Sequence, residues 1–259
     1  MYTNTKIITT SNLTPSQTAH INQLLESCRH HDNINGCISL DSSINAITDI
    51  PCFYLAYREN TLCSLLTLFI PDEYECEIYA YTSPECRQHH LFTTLLSKAL
   101  SYINDTSIET ILITAEPTSI SAKNTADSLR LPLSHSEYML SYNAKSIPAP
   151  QHTLNLNFTQ KNDTAAICLT KNNTQIARCH LYIHGTYASI FDFEVTKKHR
   201  HKGYGKESLL LIIEYLQKRD ITSISLHVSS TNPTALNLYT KYGFTVKEQL
   251  DYYRIQMLK

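Results

Sequence analysis

The chain reads as an α/β protein built from two tandem copies of one unit. Three observations carry this. A strand-like run, an arginine-led turn, an apolar-striped helix and a second strand follow one another near residues 75–115, and the same order returns near 189–228. The two arginines, Arg87 and Arg200, lie 113 positions apart, and that shift lays Leu96, Ala99, Leu100 and Ile103 over Leu209, Ile212, Ile213 and Leu216. A common offset across strand, helix and strand is the mark of a repeated unit. Between the copies, over residues 143–151, Ser-Ile-Pro-Ala-Pro breaks every periodicity and reads as a linker, giving domains at 1–145 and 151–259.

The elements follow in order. Thr14-Pro15-Ser16-Gln17 is a capping box with proline at the first helical position, and its helix carries Ile21, Leu24, Leu25 and Cys28 on one stripe. Strands at 52–57 and 61–70 form a hairpin through Arg58-Glu59-Asn60. A strand at 75–82 leads to the Arg87 turn, then to a helix and a strand at 108–115. In the second copy, strands at 164–170 and 175–184 pair through Lys171-Asn172-Asn173-Thr174. The next strand, 189–195, sets Phe191, Phe193 and Val195 on one face, and Asp192 and Glu194 with Ile190 on the other. A helix over 206–218, a strand over 221–228 and a last helix opened by Ser229-Ser230-Thr231-Asn232-Pro233 complete it, with a stop at Tyr242-Gly243-Phe244.

Composition excludes several classes. The 259 residues are 42% apolar and 17% charged with a formal net charge of −1, so neither disorder nor general nucleic-acid binding is expected. No apolar run reaches the roughly 18 residues that span a bilayer, and the first residues lack a signal-peptide pattern, so a cytoplasmic protein without membrane contact is expected. Six of the eight cysteines crowd the first third and none form C-x-x-C pairs, which reads as reduced, partly buried thiols. The histidine pairs His30-His31 and His89-His90 are adjacent and point apart on any regular element, so no metal is expected.

Arg200-His201-Lys202-Gly203-Tyr204-Gly205 sits between a strand and a helix, where unpaired N–H groups of a first helical turn face outward. The glycines let a backbone approach phosphates, and Arg200, Lys202 and Lys206 add positive charge. A dinucleotide fingerprint needs three glycines and a later acidic residue, and a Walker loop needs Gly-Lys-Ser/Thr; both are missing. RHKGYG and LHVSSTNPTALNLYTKYGF together resemble the acetyl-CoA core of the GCN5-related N-acetyltransferase (GNAT) family, over roughly residues 164–258.

The resemblance implies two tandem GNAT-like domains, each a mixed, mostly antiparallel sheet flanked by helices. It implies acetyl-CoA as co-substrate, with its pyrophosphate on Arg200, His201, Lys202, Gly203, Tyr204, Gly205 and Lys206, and its pantetheine arm on the backbone of Phe193, Glu194 and Val195. Asn232 and Tyr239 take the places of the later motif's asparagine and tyrosine. In the first copy His90 and Phe92 replace the glycines, and Ala126 stands in place of Tyr239. Leu129-Arg130-Leu131 replaces the helix stop, so this half reads as a degenerate scaffold; binding of another nucleotide or acyl carrier through Arg87 is the alternative. Only about a dozen residues separate the linker from Thr164, too few for a strand and two helices. The catalytic half is thus expected to lack the helices that wall the acceptor in relatives, and the first domain to supply that wall at the domain junction.

Acetyl transfer to an amine needs a neutral nitrogen, a nearby thioester carbonyl and a proton for the departing thiolate. Tyr239 is the candidate acid, or else a packed helix aromatic. His227 is the foremost candidate base, with a hydrogen-bonded core histidine as the structural alternative. Asp192 and Glu194 compete for the role unless a neighbouring Arg or Lys pairs them. Ser189 stands where some relatives carry a basic glutamate, which leaves deprotonation through water open. No cysteine lies in either motif, so direct transfer in a ternary complex to a primary amine, small molecule or peptide, is expected from a monomer or homodimer. A non-catalytic acyl-CoA sensor or interaction module is the second reading.

Overall fold

The computed structural model describes residues 5–142 and 153–256; the expected linker over 143–151 falls outside them. The described elements are β1 (Thr5–Thr10), α1 (Pro15–Asp32), β2 (Phe53–Arg58), β3 (Thr61–Phe69), β4 (Glu75–Thr82), α2 (Leu91–Ile103), β5 (Thr110–Ala115), α3 (Ile120–Ser128) and β6 (Leu133–Tyr142). There follow β7 (Asn155–Lys161), β8 (Thr164–Lys171), β9 (Thr174–His184), β10 (Tyr187–Val195), α4 (Tyr204–Gln217), β11 (Ser223–Ser229), α5 (Pro233–Lys241) and β12 (Phe244–Ile255). None of the described helices is long and apolar enough to cross a membrane. All eight cysteines are free thiols.

Two compact units result. The first holds the described residues up to His135 together with those from Leu250 on, and the second runs from Ser136 to Gln249. They depart from the sequence halves because the closing strands are exchanged. Asp251–Ile255 of β12 pairs antiparallel with β5 in the first unit, and Ser141–Glu137 of β6 pairs antiparallel with β11 in the second. Both copies end in an antiparallel strand after the same βαβα order, so each supplies a partner that the other's edge accepts.

In the first unit the strands run in the order β1-β2-β3-β4-β5-β12. Strand alternation, with a one-residue irregularity of β3 opposite Ala56–Tyr57, sends Leu55, Tyr57, Leu62 and Leu65 to one face, where α1 covers them with Ile21, Leu24, Leu25 and Cys28. The opposite face packs Tyr54, Leu66, Ile78 and Ile111 against Leu95, Leu96, Ala99 and Ile103 of α2. Both arms of the α1 capping box form: Gln17 N–H donates to Thr14 Oγ1 at 3.2 Å, and Thr14 N–H donates to Gln17 Oε1 at 2.8 Å.

The second unit orders its strands β6-β11-β10-β9-β8-β7. Its core sets Leu209, Ile212, Ile213 and Leu216 of α4 against Ile167, Cys179, Leu181, Ala188 and Ile190. Here β7 turns directly into β8, and α4 and α5 are the helices among the described residues of this unit. No described counterpart of α1 covers its outer face, as the short run before Thr164 requires.

The repeat is visible atom by atom at the arginine turn. Arg87 Nε donates to the Thr82 carbonyl at 3.1 Å, and Arg200 Nε donates to the Val195 carbonyl at 2.9 Å, in each case five residues back. Left-handed residues also coincide at the 113-residue offset: Gln88 with His201 (φ 62° and 60°), His90 with Gly203 (59° and 83°), and Arg130 with Gly243 (54° and 98°). The expected loss of the first copy's helix stop is therefore corrected, since Arg130 adopts the conformation that the glycine holds, at a cost of roughly 1 kcal/mol for a residue with a Cβ.

Arg87 also closes a bidentate pair with Asp32 of α1, Nη1 to Oδ1 at 2.9 Å and Nη2 to Oδ2 at 2.6 Å, around a carboxylate only 9% exposed. Burial alone would push the Asp32 carboxyl up, but hydrogen bonds from Arg87 and His31 hold it below its ordinary 3.8. A carboxyl depressed in this way stabilises the fold fully above its unfolded value, and that contribution disappears as the pH falls through the lowered folded value. Arg87→Ala is expected to cost about 3 kcal/mol by leaving the buried carboxylate with His31 as its remaining side-chain partner. Chemical denaturation of Asp32→Asn should show a flatter loss of stability below about pH 4 than the parent chain.

Candidate active site

A parallel strand pair that separates defines the site. β10 and β11 are hydrogen-bonded over four positions, Tyr187↔Ser223 to Ile190↔Leu226, and then diverge. The first unit stops at the same place, with β4 and β5 paired from Glu75↔Thr110 to Ile78↔Ile113. Only β10 carries a bulge there. Phe191 pairs with His180 and Glu194 with Arg178, so two residues on β10 oppose one on β9, and Asp192 takes φ +51°. Residues 79 and 191 lie 112 apart while 81 and 194 lie 113 apart, so the bulge is one residue added to a strand that runs straight in the first copy.

The bulge corrects the expected faces. Ile190 is buried in the core, whereas Asp192 is exposed, Phe191 is 42% exposed on the outer face, and Glu194 is half-buried. An alternation of two cannot survive an inserted residue. Glu194 is held by two guanidiniums: Arg178 Nη2 donates to Oε2 at 3.3 Å and Arg200 Nη2 to Oε1 at 3.0 Å.

On the helix-covered side, Phe193 is half-buried with its ring centroid 6.4 Å from that of Tyr239. Asn232 caps α5 by accepting the Ala235 N–H at 3.1 Å, and the helix it launches carries Tyr239 to a buried position against Phe244, 5.8 Å between centroids. Burial, and secondarily the neighbouring Cys179 thiol, push the Tyr239 phenol up to about 12.

At the head of α4 the first helical bond is Glu207 N–H to Gly203 O at 3.2 Å, so the N–H groups of Tyr204, Gly205 and Lys206 precede any helical acceptor. A Cβ at Gly203 would meet nothing within 4 Å; one at Gly205 would touch Leu238 Cδ2 at 3.6 Å and Val195 Cγ2 at 3.9 Å. The side chains of the turn mostly brace it. Arg200 reaches back to β10, Lys202 Nζ donates to the Lys198 carbonyl at 3.0 Å, and Lys171 Nζ donates to the Tyr204 hydroxyl at 3.4 Å. Lys206 Nζ lies 5.5 Å from the Tyr242 ring centroid, and His201 is exposed. His227, across the fork on β11, is exposed and opposes Met139 of β6.

The structure thus gathers the fork, the α4 head, Phe193 and Tyr239 on one side, and Phe191, Asp192 and His227 at the outer mouth. It also adds two residues that the sequence reading overlooked, Arg178 and His180 of β9. His180 Nδ1 lies 3.2 Å from Asp192 Oδ2, and its ring stacks on Phe191 with 5.5 Å between centroids. The hairpin signal at 175–195 could have aligned His180 with Phe191, but only with the turn length and the bulge known.

The first unit keeps a cleft of about 570 Å³ at its own fork, lined among others by Tyr81, Arg87, Phe92, Glu116, Ser119 and Tyr253. Its Arg87 is engaged by Asp32 and the Thr82 carbonyl.

Residues 134–244 match the model of the acetyltransferase (GNAT) family. An uncharacterized N-acetyltransferase of Bacillus subtilis (strain 168), YycN, is 39% identical over 57 residues; the match spans 22% of this chain and only 36% of that relative. Among solved structures, a GCN5-related N-acetyltransferase from Sphaerobacter thermophilus superposes with a TM-score of 0.76 at 13% identity, over 97% of this chain and 95% of that one. A tandem GNAT protein from the clavulanic acid biosynthesis pathway gives 0.70 at 10% identity, over 97% and 98%. The chain has the tandem GNAT fold, and its residues 134–244 belong to the GNAT acetyltransferase family.

Proposed function

We propose that this chain is an acetyl-CoA-dependent N-acetyltransferase whose chemistry runs in the second unit. The observation that carries the reading is the fork beyond Ile190–Leu226 beside the left-handed Gly203, where the space a Cβ would occupy is open. Those residues fit a diphosphate followed by an extended arm. The unpaired N–H groups of Tyr204, Gly205 and Lys206, at the positive end of α4, would receive the diphosphate. The backbone of Phe193–Val195 that β11 leaves unpaired would receive the pantetheine amides as a further strand would. Arg200 acts by tying the turn to the end of β10, and Asn232 by placing α5.

When bound, acetyl-CoA supplies a thioester carbonyl. Tyr239 is suited to hand a proton to the departing sulfur, because a phenol held near 12 still carries that proton throughout the neutral range. Cys179, the thiol beside it, is buried and likewise pushed up to about 12, which disfavours a covalent acetyl-enzyme and supports direct transfer. The amine acceptor, a small molecule or a peptide amine, would approach on the outer face beside Phe191 and His227.

Calorimetric titration with acetyl-CoA tests the cradle. Gly203→Ala should fold, since His90 holds the same conformation in the first copy, yet bind acetyl-CoA at least about tenfold more weakly, or about 1.4 kcal/mol. Unchanged affinity would exclude this turn as the site. For Tyr239→Phe, acetyl-CoA affinity should persist while kcat falls about a hundredfold. Turnover of the parent chain should not decline from loss of the Tyr239 proton as the pH rises to 10.0, the ordinary phenol value. Acetyl-CoA binding without CoA release over a panel of amines would mark a non-catalytic acyl-CoA module instead.

A further inference from the structure

The second unit contains a carboxylate–imidazole pair that neither family motif includes. Asp192 is exposed at the bulge, and its Oδ2 lies 3.2 Å from Nδ1 of His180, whose side chain remains 43% exposed. Engagement of Nδ1 by a carboxylate leaves Nε2 as the free ring nitrogen. The ring is also held by stacking on Phe191, at 5.5 Å and 28°. Two independent contacts therefore fix one imidazole.

Its position is the mouth of the fork. Phe191 is the first β10 residue beyond the last parallel pair, Ile190↔Leu226, and His180 is its direct partner on β9. Opposed residues of antiparallel strands share a face, so His180 lies on the outer face, one strand spacing or about 4.8 Å from β10. That face carries no described helix of its own unit. The neighbouring charges are already matched: Arg178 pairs with Glu194, which Arg200 also holds, while His184 lies 3.9 Å from Asp163. Tyr182 adds an exposed phenol on the same strand. Asp192 and His180 are left to each other.

The first copy lacks both members of the pair and the bulge. Thr67 stands in the place of His180 and is buried opposite Tyr79, and without the added residue β4 has no counterpart of Asp192. Pair, bulge and glycine turn occur together in one unit only. Glu194 is engaged by two guanidiniums, those of Arg178 and Arg200, which leaves the His180 ring nitrogen as the open acceptor at this mouth.

Resting on the acetyltransferase reading, we infer that His180, positioned by Asp192, takes the proton from the acceptor ammonium. In the step, one N–H proton passes to His180 Nε2 and the freed lone pair forms the C–N bond at the thioester carbonyl. The C–S bond then breaks, Tyr239 protonates the sulfur, and the nitrogen's second proton returns to Tyr239 directly or through water. The net products are the amide, CoA thiol and one proton, which His180 releases to solvent.

The test uses the full chain, acetyl-CoA, and whichever of glucosamine, spermidine, lysine and a tetrapeptide amine turns over fastest. His180→Ala and His180→Gln should each lower kcat by about 10²–10³ with acetyl-CoA affinity unchanged, and abolish the acid limb of the pH–rate profile. Added imidazole should restore part of the rate in His180→Ala. Asp192→Asn should cost about tenfold and, in nitrogen-15 histidine spectra without substrate, reduce the Nδ1–H tautomer of His180. Variants that turn over as the parent does, or more slowly with the acid limb in place, would overturn this inference and leave the acetyltransferase reading intact. A parent chain that binds acetyl-CoA but acetylates none of the amines would overturn both.

Discussion

The site depends on two parallel strands that stay hydrogen-bonded for only four positions. Where β10 leaves β11, backbone donors and acceptors face a gap, and such groups require another partner. The bulge at Asp192 follows this separation in the second unit: it turns Phe191 outward and Phe193 inward toward Tyr239 within three residues. The head of α4 then opens onto the same gap, because Arg200 ties the turn to the last carbonyl of β10. Fork, turn and phenol thus meet at one place.

The first copy shows how much of that geometry the packing of the fold sets by itself. Arg87 makes the same strand contact as Arg200, and His90 and Arg130 hold left-handed conformations that glycines hold in the second copy. The backbone path survived where the residues best suited to it did not, which means that packing of α2 and α3 over the sheet outweighs a strain of roughly 1 kcal/mol at each position. What the first copy lacks is local: open space at residue 90, the added residue in β4, and an aromatic hydroxyl at Ala126. In exchange it retains α1, whose Asp32 occupies the arginine.

Much of this was legible in the chain itself. Periodicity located the helices, the Thr14 box fixed the start of α1, and the common offset revealed the repeat, because these signals are local or exactly repeated along the chain. The glycine turn and the N-x-x-A-x-x-L-Y run pointed to the family for the same reason. Three features were not legible. A bulge depends on register between two strands, so alternation along β10 alone puts Asp192 and Glu194 on the wrong face. The exchange of β6 and β12 depends on which equivalent edge a strand meets, and no propensity encodes that choice. The place of His180 is set by the register of β9 against β10, which no local pattern encodes.

The most direct test of the central claim is hydrogen exchange at single-amide resolution with and without acetyl-CoA. Binding in the fork should slow exchange at Phe193–Val195 and at Tyr204–Lys206, and leave the equivalent amides at Ala80–Thr82 and Leu91–Thr93 unchanged. Protection confined to the first unit, or none at either fork, would contradict the account.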